Sequence, residues 1–383
     1  MTADAFVLAA TGGRPGRARA YLEDSPDLLA DPWARLVAGR GWDGDVNRRG
    51  GPRDWPPVMY VAHSALAGVE ALRDLLASGA DPNDGAENEY GPISPLYGAA
   101  GVVHDPETTR ALLEAGADPD DGESLYHATE APDATCLRLL LEHGAETRCT
   151  NALAHALDHE PLEPVRLLLE HGADPNEGAL IAHAVRRGRG PDAVRLLAEH
   201  GGDVDRPGGE TWRGDVPLRT PYQHAVLRSR DDVAEALREL GADTTVAPED
   251  LAVAALDKPA LPPAFDVDQQ EVLILAALRG RLDAVVDAVG VGFEGVVGGS
   301  PEGTLLHHAA WVGSPELVRA LLDRGADPRG VLGWAAHGSQ HHELPGRDYV
   351  AVAELLVTAG DRPTAESADT ADGPLHDWLG ERV

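Results

Sequence analysis

The chain has 383 residues with 32 Lys+Arg against 64 Asp+Glu, a formal charge of -32 at pH 7. Nucleic-acid binding relies on basic side chains that displace counterions from the phosphate backbone, so a surface this acidic argues against DNA or RNA as a partner. Hydrophobic residues make up 43% and aromatic ones 4%, which points to a core of Leu, Ala and Val and away from global disorder.

The first ten residues place Asp4 where a secretory signal wants a basic side chain. No apolar run reaches the roughly 18 residues of a membrane span; Val272–Leu278 comes nearest. Cys136 and Cys149 are too few for a disulfide framework. These features set the expectation of a cytoplasmic monomer without membrane contact. Trp33, Trp42, Trp55 and Trp212 lie beside Gly, Pro and Asp, and read as partly buried struts near loops.

From Leu75 onward one phrase recurs, Leu-Leu-x-x-Gly-Ala-Asp. It occupies 75–81, 112–118, 140–146 (ending in Glu), 168–174, 196–203 (one residue longer), 237–243 (as Leu-Arg-Glu-Leu-Gly-Ala-Asp) and 321–327. Gly79, Gly116, Gly144, Gly172, Gly201 and Gly241 lie 37, 28, 28, 29 and 40 residues apart. The gap of 84 to Gly325 holds a degenerate copy ending near Gly290, and another degenerate end falls at 355–361. The leucines mark the inward stripe of a short helix, and the glycine supplies the left-handed residue that stops it. Upstream of each stop lies a second short helix; Ser94-Pro95 and Thr220-Pro221 give it a capping hydroxyl and a proline at the first helical position. His143, His171 and His200 directly precede glycine stops, where they suit the negative end of the helix dipole.

Helix, tight turn, helix, glycine stop and extended loop together resemble the ankyrin repeat, a 33-residue unit with the signature Thr-Pro-Leu-His-x-Ala. The closest match is Thr304-Leu-Leu-His-His-Ala-Ala310 joined to Ser314–Pro328. The resemblance runs from Pro52 to Asp361 and implies an all-α ankyrin-repeat solenoid, of a bacterial type with eroded ends, of about nine or ten helical pairs. It divides the chain into an eroded capping repeat and loop at 1–51, a first array at 52–247, and a Pro-rich interruption at 248–270. A second array follows at 271–361, then a linker with a C-terminal half-repeat cap at 362–383. The units between Gly116 and Gly172 are short for the family's β-hairpin finger, and the segments 204–219, 244–270, 291–303 and 338–348 are long enough to be inserted loops.

Aligned on the repeat signature, His127, His155, His183 and His224 share one position, which His308 takes up again later. In the ankyrin family these first helices line a concave face, so the resemblance implies a histidine ladder along a partner-binding groove. One turn further on, the same face carries Glu130, Asp158, His159, Arg186, Arg187, Arg228 and Trp311. Tyr60 and His63 fall near one end, Trp334 and His337 near the other. His155 and His159 have the i, i+4 spacing that can chelate zinc, with His127 or His183 as a third ligand; solvated groove histidines are the plainer reading. The cluster His337–Glu343 is read as a polar loop.

No P-loop, dinucleotide fingerprint or GxSxG elbow occurs, and Gly295–Ser300 lacks the P-loop lysine. No cofactor and no covalent catalysis are therefore expected. The leading expectation is a non-catalytic scaffold that binds a basic protein through its groove and loop tips. One alternative is an acidic inhibitor or immunity protein masking a basic toxin or nuclease. The other is an enzyme using groove His and Asp residues for metal or acid–base chemistry.

Overall fold

A computed structural model of the chain describes residues 2–88, 91–131, 133–209, 217–297, 300–341 and 346–383. Trp212, Gly298, Gly299 and residues 342–345 of the 338–348 insertion, including His342 and Glu343, lie outside the described residues. Among the described residues the protein is mostly helical, with two short antiparallel strand pairs, and it divides into two compact units, Met1–Arg206 and Pro207–Val383. Among the described residues no helix is long and apolar enough to cross a membrane.

In unit one, four successive pairs follow the expected plan: Pro95–Tyr97 extended by a wider turn to Val103 with Pro106–Glu114, Ser124–His127 with Thr135–Glu142, Ala152–Ala156 with Glu163–Glu170, and Leu180–Arg186 with Pro191–Glu199. The second helix of each pair buries its leucines, among them Leu112, Leu140, Leu168 and Leu197. Each stops at a glycine with φ near +90° (93° at Gly116, 91° at Gly144, 90° at Gly172 and Gly201). A Cβ at these four positions would meet nothing within 4 Å, so the glycine is required by the backbone conformation and not by lack of space. As the dipole argument suggests, His143, His171 and His200 each donate an Nδ1–H bond, of 2.8, 2.8 and 2.9 Å, to the carbonyl one turn back.

Helix starts also follow the sequence signals. Ser94 Oγ accepts from Tyr97 N at 2.8 Å, and Thr220 forms a reciprocal capping box with Gln223. Between repeats, Asn83 bonds the Gly116 carbonyl (2.9 Å) and the Asp118 amide (2.8 Å). Asn176 does the same for Gly201 and Asp203, both at 2.8 Å. The tripeptide Asp-Pro-Asn at 81–83 and 174–176 thus ties one loop to the next. At the N-terminal end, Trp33 packs on Trp42 and Tyr60 (centroids 4.6 and 4.9 Å), and Trp55 packs on Tyr60 and His63 (5.5 and 4.9 Å). These tryptophans are struts.

Unit two builds its core from Ile274, Leu306, Val318, Leu332, Val352, Leu356 and Leu379. Within the Pro-rich segment 248–270, Pro248 occupies the first position of helix Pro248–Ala255, where its missing N–H costs nothing. The division into compact units falls at Arg206/Pro207. The C-terminal 362–383, read as a linker and half-repeat, forms two helices, Ala365–Thr370 and Gly373–Gly380, started by Thr364 and Asp372 caps. Ala86–Asn88 pairs antiparallel with Gly91–Ile93, and Glu294–Gly295, in the segment expected as loop at 291–303, pairs antiparallel with Gly303–Thr304.

Candidate protein-binding groove

The repeat position shared by His127, His155 and His183 produces one polar row across three consecutive repeats of unit one. His127 lies 3.3 Å from Glu123 through Nε2 and 2.7 Å from Glu130 through Nδ1. Glu130 Oε1 also accepts from His155 Nε2 at 2.9 Å. On its other side His155 Nδ1 faces Asp158 at 3.9 Å, and Asp158 Oδ1 accepts from His183 Nε2 (2.9 Å) and Arg187 Nε (2.8 Å). Carboxylate and imidazole therefore alternate from Glu123 to His183. The 28-residue repeat period makes this possible, since it brings residue i of one first helix beside i+25 of the next.

Aromatic rings floor the row. The Tyr126 ring stacks on His155 with centroids 3.8 Å apart and planes within 7°, while Tyr97 packs against His127 at 5.1 Å. Desolvation alone would raise the Glu130 pKa, but hydrogen bonds from His155 and His127 outweigh it and hold the carboxyl below its ordinary value. Asp158 is held further down in the same way, against its own desolvation, by His155, His183 and Arg187. For His155, burial pushes the pKa down, yet the Asp158 and Glu130 carboxylates override that and raise it. Row members keep partial exposure, from 15% for the His155 side chain to 43% for Glu123. The row is an accessible chain of coupled charges.

The zinc reading of His155 and His159 meets a geometric obstacle. Their rings lie perpendicular at 4.9 Å, and His155 commits Nε2 to Glu130. A raised pKa also disfavours the neutral imidazole that a metal requires. Among the described residues no group of three or more His, Cys, Asp or Glu is placed to hold a metal ion.

Elsewhere the ladder changes character. His224 is fully buried and donates from Nε2 to the Gly208 carbonyl at 2.8 Å. His308, also buried, donates from Nε2 to Gly295 O at 3.1 Å, and burial lowers its pKa although the Gly295 carbonyl opposes that. Both rings anchor the inserted loop that precedes their helix, so neither is open groove lining as expected. Tyr60 and His63 are likewise buried, not groove-facing. Burial holds the His63 pKa down at about 4; its Nδ1–H bonds Met59 O at 3.0 Å, and Gly98 packs so closely that a Cβ there would lie 2.2 Å from Nδ1. Arg228, expected on the groove face, has a side chain only 9% exposed and pairs with Glu271 at 2.9 Å and Asp268 at 3.4 Å. Arg186 is half-buried on helix Leu180–Arg186 beside the row.

Trp311, Trp334 and His337 do cluster in unit two. His337 is exposed and stacks on Trp311 at 4.8 Å, and Trp334 meets Trp311 edge-on at 5.8 Å. Sequence reasoning missed one further node: Arg219 is buried and binds Asp250 (2.7 and 2.9 Å), Asp266 (2.6 Å) and Asp268 (3.1 Å). Its carboxylates come from the Pro-rich segment 248–270, and no spacing rule announces contacts that span 31 to 49 residues.

Paired short helices, glycine stops and linking loops together define an all-α ankyrin-repeat architecture. The family model for ankyrin repeats, in three copies, matches residues 96–179, and the model for a single ankyrin repeat matches 303–331. The chain carries ankyrin repeats in these two segments. Among solved structures it is similar to the human ASB11 ankyrin repeat domain, at 25% identity, covering 54% of this chain and 92% of that one with a TM-score of 0.40. It is also similar to the ankyrin repeat domain of Bcl-3, a member of the IkappaB protein family, at 22% identity, 61% and 97% coverage and a TM-score of 0.42. No curated protein matches the chain.

Proposed function

We propose that the chain is a non-catalytic scaffold that docks a basic protein onto the row from Glu123 to Arg187. Ankyrin repeats generally mediate protein–protein interaction, which supports a protein partner. The observation that carries the finer reading is the alternating carboxylate–imidazole row on an aromatic floor, partly exposed across three repeats. Carboxylates whose pKa values are held down stay charged well below neutrality, and an acidic chain steers basic partners toward them. Tyr97 and Tyr126 supply the rigid, half-exposed rings that anchor interfaces.

The sign of the pH effect follows. Protonated His155 neutralises Glu130 and Asp158, so a basic partner competes with it and gains affinity as pH rises through the raised His155 pKa. The test is capture from the native cell lysate by wild type and by a Glu130→Gln/Asp158→Asn variant, at pH 6 and pH 8 and at two salt concentrations. The proposal expects basic proteins retained by wild type, more at pH 8 and less at high salt, and lost by the variant. Equal retention by both proteins refutes the row as the docking site.

A further inference from the structure

Near the N-terminus, helix Ala3–Ala10, helix Pro15–Asp24 and the loop before Trp55 line an open cavity of about 440 Å³. Ala5, Leu8 and Ala9 form its apolar wall, Gly12 and Tyr21 complete it, and Arg14, Arg17 and Arg53 bring three guanidinium groups to it. Leu8 is 41% exposed, a large apolar side chain left open at this one place in the unit. The volume falls within the roughly 300–1,000 Å³ typical of small-molecule sites.

The three arginines are unusual in their company. This chain has two acidic residues for every basic one, and its buried guanidinium groups elsewhere meet carboxylates: Arg219 meets three and Arg228 two. Among the described residues Arg14, Arg17 and Arg53 have no carboxylate within ion-pair distance. Two of them are instead held by neutral groups. Arg17 Nε donates to the Tyr21 hydroxyl at 2.6 Å. Arg53 Nε donates to Thr11 Oγ1 at 3.1 Å, and its guanidinium lies over the Trp55 ring, 4.8 Å from the centroid.

Gly12 lets Arg53 come in: a Cβ at residue 12 would lie 3.4 Å from Arg53 Nη2 and only 2.8 Å from the Leu8 carbonyl. With Nε engaged by Thr11, Arg53 lines the cavity beside Gly12, the lining residue that its Nη2 approaches. A fixed, half-desolvated cation without a counter-charge is a standing electrostatic cost, and burial lowers the Arg53 pKa accordingly, against the opposing effect of Tyr60. A bound anion removes that cost. Guanidinium forks match the two coplanar oxygens of a carboxylate or phosphate, and the Leu8 wall suits an apolar body attached to it.

We propose that this cavity is a binding site for a small organic oxyanion, a carboxylate or phosphate monoester carried on an apolar group. The site lies apart from the docking row, and stands or falls independently of the proposed partner.

Phenyl phosphate, benzoate and inorganic phosphate serve as probes, each titrated calorimetrically into the full chain at constant ionic strength set with chloride. Saturable one-to-one binding of phenyl phosphate or benzoate is expected, with inorganic phosphate at least ten-fold weaker because it leaves the apolar wall unused. Arg53→Gln and Arg17→Gln should each weaken the organic probes ten-fold or more, and Leu8→Ser should erase their advantage over inorganic phosphate. Arg110→Gln, an exposed change outside the cavity, should alter nothing. Arg17 is itself exposed, so its variant remains informative even if Arg53→Gln perturbs folding. The proposal is overturned if no probe binds saturably, or if binding survives both arginine changes. A match between inorganic phosphate and phenyl phosphate would overturn the apolar part and leave a plain anion site.

Discussion

Replacing His155 by glutamine should cost stability only at acid pH. The ring stacks on Tyr126 at 3.8 Å and bridges Glu130 and Asp158, and its folded-state pKa is raised because those carboxylates outweigh its desolvation. A group with a raised folded pKa contributes stability that is fully present below its unfolded value, about 6.5 for histidine, and lost as pH rises through the folded one. Glu130 and Asp158, with depressed values, contribute above their ordinary range near 4 and lose it as pH falls. Row stabilisation should therefore peak at about pH 5–6. A fully buried hydrogen bond to a charged group is worth about 1.5–3 kcal/mol, and partial exposure of Glu130 brings the expected figure for protonated His155 to about 1 kcal/mol. Glutamine keeps a donor and loses the charge. Thermal melts of wild type and His155→Gln should differ by about 2–4 °C at pH 5.5 for a unit of this size and converge by pH 8.5. A loss of equal size at both pH values would mean that the ring acts by packing alone. No loss at pH 5.5 would refute the charged row.

Arg219→Met removes the cation that the buried Asp250 and Asp268 share, and should cost about 3–5 kcal/mol in denaturant unfolding. Adding Asp250→Asn and Asp268→Asn should recover part of that, and a cost below about 1 kcal/mol for Arg219→Met would contradict the node's role. Leu168 is fully buried at the centre of unit one, so Leu168→Ala should cost about 2–5 kcal/mol. Because a repeat array couples only neighbours, the same change should split the unfolding transition; one sharp transition shifted equally at every probe would argue against that coupling.

How far the sequence could be read depended on the range of each interaction. Glycine stops, proline starts and histidine C-caps act within one turn, so Gly116, Pro95 and His143 could be interpreted from their neighbours alone. The alignment also found the repeat position that builds the row, because a regular period converts a sequence offset into a spatial neighbour. Where insertions break the period, that logic stops. His224 and His308 occupy the same repeat position as His155, yet their loops supply Gly208 and Gly295 carbonyls that cover them. Pro248 is ambiguous in sequence because a proline signals either the end of one helix or the first residue of the next. Arg219 meets carboxylates 31 to 49 residues away, and Arg53 meets Thr11 across 42, beyond any periodic signal.

The most direct test of the docking account is site-specific photocrosslinking in the native cell. A benzophenone side chain at Tyr126, on the aromatic floor of the row, is compared with one at Arg166, exposed on a second helix of the same unit. The account predicts a discrete adduct with a basic protein from position 126, lost in the Glu130→Gln/Asp158→Asn background and absent from position 166. Adducts from position 166 alone, or a position 126 adduct indifferent to both carboxylates, would contradict it.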